Sequence, residues 1–123
     1  MMFGWFKPKL PCGWVQGFKV IRVKDRTSAV VFDAAVEYPL GHVAYPKFEN
    51  GPLTVFTNKQ DAKAFCLDTY DCATGAETVV NCIYKESGEM SVYKVDCFRG
   101  VEMRRLNTLP PGTALASAVI CLE

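Results

Sequence analysis

With 123 residues, half of them hydrophobic, the chain has room for one domain with one real core. Lys and Arg number 14 against 13 Asp and Glu, a formal net charge of +1, which excludes a strong overall field for nucleic acid or an anionic membrane. No apolar run is long enough to cross a bilayer as a helix. From the start of the chain, residues 1–17 mix Phe3, Trp5, Phe6 and Trp14 with Pro8, Pro11 and three glycines, which predicts an irregular aromatic arm, laid over the core or, as the alternative, exposed as a partner surface. Residues 18–24 (FKVIRVK) are rich in β-branched side chains and alternate with Lys19, Arg22 and Lys24, as a strand with one wet face does. A turn at Asp25 and Arg26 leads to a return strand at 28–32, continued by 35–38 across a bend at Asp33. Pro39 and Gly41 interrupt the ladder before a short strand at 42–45 and a loop at 46–51.

The clearest local signal follows. Residues 53–56 (LTVF) form a short apolar strand, Thr57 or Asn58 offers a capping oxygen, and Gln60 or Asp61 stands three residues on, as a reciprocal cap requires. Ala62, Phe65, Cys66 and Thr69 then recur at helical spacing, leaving Lys59, Lys63 and Asp68 wet, so one principal helix is expected over 59–69. After a helix exit ending in Gly75, residues 78–85 and 91–98 read as an antiparallel hairpin around Glu86, Ser87, Gly88 and Glu89. Residues 100–107 read as an edge strand, LPPGT at 109–113 as a rigid turn, and 114–122 as an apolar strand inside the sheet. The fold class is α+β: a single domain over 18–123, mostly antiparallel, with a curved sheet of about six or seven strands and the one helix.

Six cysteines (Cys12, Cys66, Cys72, Cys82, Cys97, Cys121) contain no CxxC pair, and His42 is the only histidine, so no metal or cofactor is implied. Lys7, Pro8 and Lys9 break any secretory h-region, which points to a cytoplasmic, reducing setting with free thiols; the even count leaves bridges open elsewhere, and spacing fixes no connectivity. Cys66 lies on the apolar stripe, too far along the helix for its N-terminal dipole, so it is no nucleophile for His42. No glycine-rich phosphate loop, GxSxG or informative carboxylate pair is present, and no catalytic residue is assigned. The groups suited to binding are arginines, which pair with phosphates or carboxylates, and tyrosines, which stack on bases. Arg22, Tyr38, His42, Tyr45, Arg104 and Arg105 are therefore the candidate ligand-binding residues, against the alternative of solvated strand faces neutralised by Asp25, Asp33, Glu37 and Glu102.

FKVIR at 18–22, Ser28 with Ala29, YPLG at 38–41, GPLTVFTNKQDAKAF at 51–65 and LPPGT at 109–113 together resemble a family of small bacterial and phage proteins. That resemblance carries no assigned chemistry; it implies a bacterial or viral setting, in which small proteins bind a host macromolecule or metabolite. A second resemblance is to the compact β-rich core of ADP-ribosyltransferase-like proteins, with Arg22, Ser28 and Tyr38 in dinucleotide-holding positions, although no residue matches the catalytic glutamate. The expected function is a non-catalytic binding protein for a host protein or a small anionic ligand such as a nucleotide. The alternatives are an enzyme acting on NAD and an assembly protein using its aromatic arm. A membrane partner is not expected, nucleic acid gives no strong signal, and a homo-oligomer is left open.

Overall fold

The computed structural model describes residues 10–29, 36–47, 51–67, 75–96 and 100–123. Its elements in chain order are β1 (Trp14–Arg22), β2 (Val43–Ala44), β3 (Leu53–Phe56), α1 (Lys59–Leu67), β4 (Glu77–Glu86), β5 (Ser91–Asp96), β6 (Gly100–Arg105) and β7 (Thr113–Cys121), with a 3-10 turn at Leu106–Thr108. Among the described residues all strand pairings are antiparallel, and one helix accompanies the seven strands. The aromatic arm at 1–9, the return strand beyond Ala29, the loop tip at 48–50 and the helix exit after Leu67 lie outside the described residues.

The curved sheet closes on itself. β7 pairs with β3, β3 with β1, β1 with β4, and β4 again with β7, so four strands make a small barrel, to which β2 is added along β7. Closure is uneven: β1 and β4 pair over nine residues, whereas β1 meets β3 only at Phe18 and Phe56. Where those strands part, Lys19 bridges them, its Nζ donating to the carbonyl of Thr54 at 2.5 Å and to the Thr54 hydroxyl at 3.2 Å. A carbonyl buried without a donor would cost about 1–3 kcal/mol, so the ammonium completes the ladder there. Lys19 was expected on a wet face; it is 1% exposed. The reason is that β1 is covered on both sides, by the barrel interior and by α1.

Ile21, Tyr38, Leu53, Val55, Val80, Cys82, Tyr84, Val119 and Cys121 fill the barrel. Gly17 is required there, because a Cβ would lie 2.6 Å from the Tyr84 ring that crosses it. β7 serves two cores, since its register with β4 shifts between Lys85 and Glu86; Ala116 and Val119 turn inward while Leu115 packs outside with Val92 and Leu109.

The helix forms as its sequence predicts. Asn58 Oδ1 accepts the Asp61 N–H at 2.8 Å and Asn58 Nδ2 donates to Asp61 Oδ2 at 2.6 Å, a reciprocal cap. Ala62 and Cys66 are buried against Val20 and Phe56, with the Phe65 ring 5.5 Å from that of Phe56. Thr57 instead donates its N–H to the Gly112 carbonyl, docking the LPPGT turn on the helix start. Gly112 has φ +80, and a Cβ there would collide with Asp61.

Two expectations are corrected. β4 and β5 exist, but they do not form a hairpin: β4 has β1 on one edge and β7 on the other, leaving no free edge, so β5 pairs with β6 as a separate ribbon. The ribbon is fastened by mutual backbone hydrogen bonds of Gly51 and Tyr93, and by Val92 packing on Leu109 and Leu115. Also, β1 starts at Trp14, within the segment expected to be irregular, because Trp14 to Gly17 pair in register with Lys85 to Cys82.

Candidate ligand-binding groove

The six residues singled out in the sequence are dispersed by the fold. Arg22 ends β1 on the surface, its guanidinium 3.4 Å from the Thr27 hydroxyl. The neighbouring Asp25 accepts both the hydroxyl and the N–H of Thr27, at 2.6 and 3.0 Å; these hydrogen bonds, helped by Arg22, hold its carboxyl below the ordinary value. Tyr38 is fully buried, so its ring is no platform for a base. It lies under Lys19 Nζ, 4.9 Å from the ring centroid, and its backbone is clamped by Arg26, which donates Nε to the Tyr38 carbonyl and accepts the Tyr38 N–H. Arg26 holds a left-handed φ of 57° in doing so and also reaches the Glu123 carbonyl.

His42 and Tyr45 flank β2, both exposed, Tyr45 by 62%. Among the described residues no side-chain hydrogen bond of the His42 ring is seen; its backbone N–H donates to the Pro39 carbonyl. Arg104 and Arg105 sit on the distant ribbon, where Arg105 lines a shallow groove of about 440 Å³ with Met90, Met103 and Leu106. Neither this groove nor the one described next is lined by Tyr38, His42 or Tyr45.

The second groove, of about 500 Å³, runs between α1 and the start of β4. One wall is helical: Lys59, Lys63, Cys66 and Leu67, at spacings that put the two ammonium groups one turn apart. The other is Glu77, Thr78 and Val79 of β4. Glu77 is buried and has a partner within the chain. Arg22 faces Glu77 across the β1–β4 pair and so stands on the same sheet face, beside this groove but not among its lining residues. None of the six expected binding residues lines it. The sequence does carry the Lys59 and Lys63 pair as a wet helical face, but which strand stands opposite them is set only by docking.

The thiols divide by environment. Cys66 is in a disulfide whose partner lies outside the described residues, so the expectation of free thiols fails there. Spacing alone does not encode which thiols meet. Cys12 is free and exposed. Cys82 and Cys121 are free, buried and face each other across β4 and β7. Burial pushes Cys82 up to about 12, with Cys121 adding to the rise and the Lys19 charge opposing it. Cys121 is raised by burial as well, eased by Lys19 and Arg26. Neither is a thiolate nucleophile at neutral pH. Among the described residues no three His, Cys, Asp or Glu side chains converge as a metal site, and no helix is long and apolar enough to cross a membrane. The chain matches no family model, no curated protein and no solved structure.

Proposed function

We propose that this is a non-catalytic binding protein, of phage or bacterial origin, that takes a small anionic ligand such as a nucleotide in the groove between α1 and β4. The observation that carries the reading is the pairing of Lys59 and Lys63 on one wall with the apolar Leu67 and Val79 beside them. Two ammonium groups attract and orient a phosphate, and the apolar surface accepts the face of a base. Arg22 beside the groove adds a bidentate donor, while Glu77 accepts from ligand hydroxyl or amino groups. The binding residues of this reading are thus Arg22, Lys59, Lys63 and Glu77; Tyr38 drops out because it is buried. Catalysis has less support, since the buried thiols of Cys82 and Cys121 are held protonated. The cytoplasmic setting is weakened by the bridge at Cys66, because disulfides persist chiefly in oxidising compartments.

Thermal-shift measurement against nucleoside mono-, di- and triphosphates and pyrophosphate tests the reading. Saturation at about 100 times Kd stabilises a native state by about 2.7 kcal/mol, a rise of several degrees in Tm. That rise is expected to disappear in Lys59→Ala/Lys63→Ala, which alters only exposed side chains. The absence of stabilisation by every member of the panel removes the ligand reading.

A further inference from the structure

Among the described residues the ribbon carries an open edge. β5 occupies one side of β6, and among the described residues no strand meets the other. All six residues of β6 are exposed, Val101 by 67% and Met103 by 51%. Such an edge presents a row of backbone donors and acceptors to any incoming strand. β6 contains no proline, and its register with β5 runs unbroken from Gly100 to Arg105, so neither a missing donor nor a bulge blocks addition.

We propose that β6 is a homodimerisation edge, two copies of the chain pairing β6 to β6 in antiparallel fashion about a two-fold axis through Met103. The charge order of the strand selects the occupant and the register. With the axis at Met103, Glu102 of each copy faces Arg104 of the other, giving two cross-strand ion pairs on one face. On the other face Met103 meets Met103, and Val101 meets the aliphatic stem of Arg105. Facing residues in a two-fold strand pair share a sheet face, so the axis must pass through a residue. Moving it to Glu102 or Arg104 sets like charges directly opposite and is unfavourable. Arg104 already has a contact within its own chain, and five guanidinium donors leave room for a carboxylate from the second copy. Pairing of one short strand buries less than a standard interface, so a weak, concentration-dependent dimer is expected.

Sedimentation velocity over a micromolar to millimolar series reads the outcome. The wild-type chain should move from monomer to twice its mass. Glu102→Arg places Arg opposite Arg twice, and Arg104→Glu places Glu opposite Glu twice; each should weaken dimerisation by at least about tenfold. An equimolar mixture of the two variants restores opposite charges at every facing position and should recover the dimer. Met103→Arg, which sets two guanidinium groups on the axis, gives a second disruption at an exposed site should either charge variant fail to fold. A wild-type chain that stays monomeric throughout, or a dimer unmoved by these variants, overturns the proposal. Both results are independent of the groove between α1 and β4.

Discussion

The barrel and the ribbon are made of similar strands, yet they end in opposite states. β4 and β5 both carry β-branched and aromatic residues among polar ones and stand only a few positions apart. β4 is paired on both edges and places Val80, Cys82, Ile83 and Tyr84 out of water. The ribbon is paired once, touches the body through Tyr93, Val92 and Leu106, and exposes the whole of β6. The difference lies in edges rather than in propensity: β4 is flanked by β1 and β7 where β5 would have to join it, so β5 takes β6 as its ladder partner and bridges to the body at Gly51.

The comparison breaks most visibly through paired truncations. Phe56→Ala, at the one residue pair joining β1 to β3 and under the helix, is expected to cost about 3–5 kcal/mol. Val101→Ala on β6 should stay within about 0.5 kcal/mol. Urea denaturation checks both, and comparable losses would mean the ribbon is as integral as the barrel.

Alkaline pH should strike the barrel alone. The folded-state value of Cys82 is raised to about 12 from an ordinary 9.0, so the unfolded chain loses its proton first. Stability is then fully present below pH 9 and is lost as pH rises toward 12, by about 4 kcal/mol for the group at ~1.4 kcal/mol per pH unit. Melting temperatures across that window read the loss, and Cys82→Ser should reduce it, leaving the part that the buried Cys121 contributes. At neutral pH a thiol reagent should label Cys12 quickly and Cys82 and Cys121 only after unfolding.

Smaller effects sharpen the junction between helix and barrel. Gly112→Ala must adopt positive φ and displace Asp61, for an expected loss of about 2 kcal/mol. Asn58→Ala removes the cap and should cost about 1 kcal/mol. Calorimetric melts of the two variants and of the double variant should show less than additive losses, because both act on Asp61.

Local features were legible in the residues themselves. The strand 53–56, the cap at Asn58, the helix that follows, the LPPGT turn and the apolar β7 all stand where the pattern placed them, because each is fixed by interactions within a few residues. Of the candidate site, the sequence supplied Arg22 and the wet pair Lys59 and Lys63, but it also supplied Tyr38, whose ring is indistinguishable in sequence from an exposed one. Tertiary structure alone decided that β4 has no edge for β5, that Lys19 is buried as the bridge to Thr54, and that α1 and β4 face each other across a groove. Those outcomes depend on which distant segments occupy an edge or cover a face, and residue order constrains such long-range choices only through the energy of the whole packed chain.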